Sequence, residues 1–162
     1  MSLATQIVDL AKQSGIMIAT AESCTGGMVM AALTDIAGSS AVAERGFVTY
    51  SNNAKMQMLG VSGSTLDARG AVSEQVAAEM AKGALRNSEA ALSVSITGIA
   101  GPGGSDHKPE GRVCFGIADN KNCATETVEF GASGRSNVRE AARDHALQML
   151  LDRLIQNSSI NR

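Results

Sequence analysis

The sequence predicts an α/β fold, a three-layer α/β/α sandwich around a mixed sheet, on three observations. Apolar segments of strand length alternate with amphipathic helical segments through the first half of the chain. Three strand-like segments then follow one another with no helix between them. Aromatic residues are only 2% of the chain while apolar residues are 44%, so the layers must close over an aliphatic core of Ala, Val, Leu, Ile and Met. Strands separated by helices pair in parallel and consecutive strands pair antiparallel, which makes the sheet mixed.

The elements follow in order. Leu3 to Ser14 reads as a helix with Leu3, Ile7, Leu10 and Ala11 on one face and Gly15 as its stop. Ile16 to Thr20 reads as a strand, and Thr25 to Ile36 as a helix closed by Gly38. Ala41 to Tyr50 is mostly extended, with Phe47-Val48-Thr49-Tyr50 its strongest β-signal. Asn52 or Asn53 caps a short helix that carries Lys55, Met56 and Leu59 and stops at Gly60. Ser73 caps a longer helix with Val76, Ala77, Met80, Ala81 and Ala84 inward. Ala91 to Thr97 and Arg112 to Ala118 are strands, and Thr125 to Phe130 alternates as a third. The last helix runs from about Ser136 to Leu154, with Val138, Ala142, His145, Met149 and Leu150 or Leu151 near the core.

A chain of 162 residues with 19% charged residues reads as one globular domain over 1–162. Its net charge is -2, and neither a basic patch nor an aromatic platform interrupts it, which argues against nucleic acid as a partner. Cys24, Cys114 and Cys123 form no C-x-x-C pair and no His/Cys cluster, so a structural zinc site is not expected and a reducing compartment is. Met1-Ser2-Leu3-Ala4-Thr5-Gln6 has no basic region followed by an apolar run, and no stretch suits a bilayer. The expectation is a cytoplasmic protein with no membrane partner.

Three segments carry the chemistry. Thr20-Ala21-Glu22-Ser23-Cys24-Thr25-Gly26-Gly27 is strand, tight turn and helix start, with a serine hydroxyl at the turn. A helix N-terminus there favours anions and the charge that develops in acyl transfer. A turn serine is more often a cap than a nucleophile, but Thr25 is equally able to cap and leaves Ser23 free. Neither His107, in a polar loop, nor His145, inside the last helix, suits a Ser-His-Asp triad. Lys55 stands instead just inside a helix start, where the dipole and burial both disfavour the ammonium and make a neutral amine accessible. The plain alternative is a solvated lysine, as most are. Tyr50, at a strand end, is placed to hydrogen-bond either partner, its plain alternative being a core-facing ring with its hydroxyl at the rim.

The loop from Gly98 to Gly111 lacks the G-K-[ST] of a phosphate-binding P-loop and leads into no helix, so Walker and Rossmann readings both fail. Its glycines bring backbone N–H groups close to a ligand or simply make a flexible connection. Thr97, at the preceding strand end, is placed to donate to the same site. Arg135 and Arg139 sit one turn apart at a helix start, against the dipole, which an anion between them would offset; two solvated arginines are the plain alternative.

Together Ala21-Glu22-Ser23-Cys24-Thr25-Gly26-Gly27, Thr49-Tyr50-Ser51-Asn52-Asn53-Ala54-Lys55 and Ile96-Thr97-Gly98-Ile99-Ala100-Gly101-Pro102 resemble the CinA C-terminal domain family. Gly70-Ala71-Val72-Ser73-Glu74 and the Arg135/Arg139 pair fit as well, and the resemblance runs from Ile7 to about Leu154. It implies an α/β/α sandwich of the stand-alone form and hydrolysis of the carboxamide of nicotinamide mononucleotide to nicotinate mononucleotide and ammonia, in pyridine nucleotide recycling. It implies catalytic roles for Ser23, Lys55, Tyr50 and Thr97, and substrate contacts at Thr25, Gly26, Gly27, Gly98, Gly101, Arg135 and Arg139, with no metal, no cofactor and commonly a homodimer. Two departures bear on the pocket. Glu110 and Arg112 stand where the family carries Val and Thr in Lys-Pro-Val-Gly-Thr-Val, and Ala43 where many members carry an aromatic. Two other readings remain open: a nucleotide-binding or protein-binding module without catalysis, and an amidase for another small carboxamide.

Overall fold

The computed structural model describes residues 1–160. Helix α1 (Leu3–Ser14) leads into β1 (Ile18–Glu22), α2 (Met28–Thr34), a 3-10 turn, and β2 (Ala43–Val48). Three helices follow, α3 (Asn52–Leu59), α4 (Gly63–Arg69) and α5 (Glu74–Arg86). Then come β3 (Leu92–Gly98), β4 (Arg112–Asp119), β5 (Cys123–Glu129) and the long α6 (Arg135–Ile160). The sheet has the order β2-β1-β3-β4-β5. β1 pairs in parallel with both β2 and β3, while β3–β4 and β4–β5 are antiparallel, so the mixed sheet expected from the sequence is present.

Each sheet face has its own aliphatic core. On one, Ile18, Val94, Ile96 and Phe115 pack with Ile7 and Ala11 of α1, Leu33 of α2, and Val138, Ala142 and Leu150 of α6. On the other, Ala19, Ala21 and Phe47 pack with Leu59 of α3, Leu66 of α4, and Val76, Met80 and Ala84 of α5. Small residues let α5 lie close to the strands. The buried hydroxyls of Ser93 and Ser95 donate to the carbonyls of Ala81 and Ala77 at 2.7 and 2.6 Å, so no polar group is stranded at that contact.

The chain leaves β1 through α2 on one face and leaves β2 through α3–α5 on the other. Ligands in open α/β sheets bind beyond the carboxyl ends of strands whose connections part in this way. Ser23, Tyr50 and Thr97 all lie at that edge, just after β1, just after β2, and near the end of β3.

Most element ends differ from the sequence reading by a few residues, β2 (Ala43–Val48) and β5 (Cys123–Glu129) among them, and α6 runs on to Ile160; the differences that bear on the site are these. β1 ends at Glu22 rather than Thr20, because Ala21 and Glu22 continue the ladders to β2 and β3, and the buried Glu22 carboxylate finds donors at the start of the next helix. Its oxygens accept from the N–H groups of Gly27, Val29 and Met30 at 3.2, 3.0 and 3.1 Å. α2 accordingly starts at Met28 with Gly27 as its cap, and Thr25 caps nothing. Ser51, not Asn52 or Asn53, caps α3, accepting from the Ala54 N–H at 3.0 Å. α4 was not foreseen: it is seven residues that open on Gly63 and stop at Gly70, buries only Leu66, and so has no periodicity to read.

Candidate active site

Ser23 follows β1 in a turn that needs two left-handed residues, supplied by Gly26 (φ 59°) and Gly27 (φ 106°). The turn is fastened at three points. The Ser23 N–H donates to the Ile96 carbonyl at 2.9 Å, its carbonyl accepts from the Gly26 N–H at 3.0 Å, and the Arg139 Nε donates to the Cys24 carbonyl at 2.9 Å. Lys55 enters from α3, whose C-terminus is anchored by the buried Leu59.

The two side chains meet. Lys55 Nζ lies 2.9 Å from Ser23 Oγ and also donates to the carbonyls of Thr49 at 2.9 Å and Tyr50 at 3.4 Å. Lys55 is 1% exposed, and no carboxylate pairs with it among the described residues. Burial therefore pulls its pKa down to about 8, opposed only by the nearby Cys24 thiol. Burial pushes the Cys24 thiol up to about 11, which makes it a poor nucleophile beside Ser23.

The geometry suits a base. An ammonium has three N–H donors for the serine oxygen and two carbonyls. An amine has two, which the carbonyls of Thr49 and Tyr50 can occupy while the lone pair turns toward the Ser23 hydroxyl.

A cleft of about 350 Å³ opens over this pair, within the range of small-molecule sites. Ser23, Lys55, Tyr50, Thr97, Gly98, Gly101 and Arg135 all line it. The Tyr50 hydroxyl bonds neither Ser23 nor Lys55. It accepts from Arg135 Nη2 at 2.8 Å, while Nη1 of the same guanidinium donates to the Gly101 carbonyl at 2.6 Å. Thr97 donates its hydroxyl to the Ala71 carbonyl at 2.8 Å, so toward the cleft it has lone pairs to offer and not a proton.

Thr25, Gly26, Gly27 and Arg139 lie behind the turn, outside the lining. The Thr25 hydroxyl is fully buried and has no partner. The Gly26 and Gly27 N–H groups, expected among the substrate contacts, are occupied by the Ser23 carbonyl and the Glu22 carboxylate.

Sequence reasoning missed Asn52, Ser105 and Asp106, which also line the cleft. It also missed Glu22, the anion that sits at the start of α2. The signal was an acid closing an apolar strand, but Thr25 stood where a cap is expected and hid the need for one. A larger cleft of about 610 Å³ lies between the start of α5 and the β4–β5 edge. Its charges are spent on one another and on the main chain: Arg112 pairs with Glu129, Glu74 accepts from Thr125 and Thr127, and Lys108 donates to the carbonyls of Arg69 and Val72. Among the described residues no group of three His, Cys, Asp or Glu side chains is placed to hold a metal ion, and no helix is long and apolar enough to cross a membrane.

These features define a class of α/β/α protein with a buried serine–lysine contact beneath a cleft at the carboxyl ends of its parallel strands. Residues 1–154 match the CinA C-terminal domain, and the chain belongs to that family. It is 50% identical over 159 residues to nicotinamide-nucleotide amidohydrolase PncC of Escherichia coli (strain K12), covering 98% of this chain and 96% of that protein. A CinA-like protein of Chloroherpeton thalassium is 55% identical over 95% of this chain, which spans 38% of that longer protein. Among solved structures, competence/damage inducible protein CihA of Agrobacterium tumefaciens superposes with a TM-score of 0.90 at 49% identity, over 93% of this chain and 92% of the other. A CinA superfamily protein of Klebsiella pneumoniae does so with 0.91 at 35% identity, over 95% and 96%.

Proposed function

We propose that this protein is a nicotinamide-nucleotide amidase, hydrolysing the carboxamide of nicotinamide mononucleotide to nicotinate mononucleotide and ammonia. One observation carries the mechanism: the buried contact of 2.9 Å between Lys55 Nζ and Ser23 Oγ. Neutral Lys55 takes the Ser23 proton as Oγ attacks the carboxamide carbon. The Lys55 ammonium then protonates the leaving nitrogen, the C–N bond breaks, and ammonia departs from an acyl-serine. Water attacks that ester, again giving its proton to Lys55, and the acid and free Ser23 are restored.

The N–H group of Cys24, a residue that lines the cleft, follows the nucleophile and takes no part in the turn's own bonding, which suits it to the developing oxyanion. Arg135, held by Gly101 and Tyr50 at the rim of the cleft, suits the substrate phosphate. Thr97 and Gly98 line the floor beside the carboxamide. Arg139, bonded to the Cys24 carbonyl, supports the turn. The same reading takes 1–162 as one domain acting in the cytoplasm as a homodimer, and sedimentation velocity on the purified chain tests the dimer.

Ammonia release from nicotinamide mononucleotide, nicotinamide riboside, nicotinamide and glutamine tests the function. Turnover of the mononucleotide well above the others is expected. Equal rates with and without phosphate remove the role of Arg135, preference for glutamine or free nicotinamide replaces the substrate, and no release from any of the four sinks the proposal. Near-normal turnover by Ser23→Ala would exclude a covalent step and leave water attack assisted by Lys55.

A further inference from the structure

The geometry points to Glu22 as a positioning residue that holds both halves of the serine–lysine pair in register. This rests on the mechanism above and adds to it a residue that touches neither substrate nor reacting atoms. Glu22 is 1% exposed and has no cationic partner among the described residues. Its charge is met by three backbone N–H groups of the α2 start and by the Thr20 hydroxyl, which donates at 3.3 Å.

The side chain and the main chain of Glu22 work in different directions. Its carboxylate grips the start of α2 and so closes the turn that carries Ser23. Its carbonyl accepts from the Thr49 N–H at 2.8 Å. The Thr49 carbonyl in turn accepts from Lys55 Nζ at 2.9 Å, and Nζ meets Ser23 Oγ. One residue thus ties the nucleophile's turn to the carbonyl that aims the base.

Capping alone does not call for this arrangement. A buried carboxylate with no cation bears a large desolvation cost, whereas helix starts are ordinarily satisfied by the short side chain of the cap residue itself, Ser, Thr, Asp or Asn, at the surface. What the carboxylate adds is several bonds to one turn at once, through an acceptor that cannot rotate away. The α2 start is thereby also filled by the protein's own anion, so the helix end is closed to substrate charge.

Glu22→Gln tests the inference. The amide keeps the length but sets an N–H₂ donor against the donors that now face Oε2. A fall in kcat of about 10- to 100-fold is expected, with KM within about twofold, because small displacements of reacting groups cost rates of that order. A purely structural residue would lower the melting temperature and leave kcat per folded molecule unchanged, and that result overturns the inference.

The rate at which a small alkyl fluorophosphonate modifies Ser23, followed by intact mass, supplies a readout independent of substrate, and it should fall in parallel. Wild-type protein that is labelled but releases no ammonia from nicotinamide mononucleotide corrects the substrate and leaves Glu22 to be judged by labelling. Wild-type protein showing neither activity removes the serine–lysine reading and this one with it. If the Gln variant does not fold, Glu22→Asp keeps the charge but withdraws it by one methylene. Intermediate loss of kcat is then expected, and full activity in that folded variant overturns the inference.

Discussion

An ammonium with three hydrogen-bond partners can lose a proton without stranding any of them when two are carbonyls and the third is a hydroxyl able to reverse its role. Lys55 is in that position. Burial holds its pKa to about 8, so the amine is a minor form at neutrality and dominates above pH 8. The kcat/KM for ammonia release should rise with pH to an acidic limb near 8 and level off above it. Lys55→Arg stays charged at every pH and should be inactive throughout, which a rate profile from pH 6 to 10 would check. Ser23→Ala should cost on the order of 10⁴-fold in kcat.

The same lysine sets a pH dependence of stability. Its folded-state pKa, about 8, lies below the ordinary lysine value of 10.5 that the unfolded chain keeps. Between those values the unfolded chain holds a proton that the folded chain has shed, so stability rises with pH across that window. Below pH 8 the fold carries a buried charge at a cost. Lys55→Met should therefore be more stable than the wild type at pH 7, with the advantage shrinking toward pH 10. Urea unfolding at the two pH values measures it, and an advantage that does not shrink contradicts the lowered pKa.

At the scale of elements, glycine placement separates local preference from tertiary demand. Gly83 lies inside α5, where alanine would ordinarily gain about 1 kcal/mol. A Cβ there would run into the backbone carbonyl of Leu59, at the end of the helix that carries Lys55. Gly83→Ala should destabilise instead, by about 1–3 kcal/mol as in other overpacked contacts, and should lower kcat by shifting α3. Thermal unfolding with kinetics on the same sample checks both. This contact also explains which elements could be read in advance. α1 and α5 show their apolar stripes openly, and the residues expected inward on α5 are all fully buried. α4 has one buried residue and no stripe, so only its packing under α5 makes it a helix. The two-residue extension of β1 depends on pairing with Phe47 and Val48 of β2 and Ser95 and Ile96 of β3, partners absent from any window of sequence around Glu22.

Across the whole molecule, the last helix reaches back to the first turn. Arg135 and Arg139 are one turn apart on α6, yet one lines the cleft and the other braces the backbone behind Ser23. Their loss should separate kinetically. Arg135→Ala should raise KM for nicotinamide mononucleotide by about 10- to 100-fold, the range of a charge-assisted bond, and leave nicotinamide riboside unaffected. Arg139→Ala should lower kcat and the melting temperature with little change in KM. Steady-state kinetics on both substrates distinguish the two, and equal KM effects would contradict the division.

The sequence by itself determined the layer order, the parallel and antiparallel halves of the sheet, and the residues that gather at its edge, because periodicity and turn chemistry are local and each strand end carries its own motif. Only the tertiary structure decided that Lys55 reaches Ser23, 32 positions away, that Tyr50 faces Arg135 rather than the pair, and that Glu22 rather than Thr25 satisfies α2. Those outcomes depend on how far each helix slides over the sheet. That distance is set by packed volume and by which buried donor finds which acceptor, and neither is written in the spacing of residues along the chain.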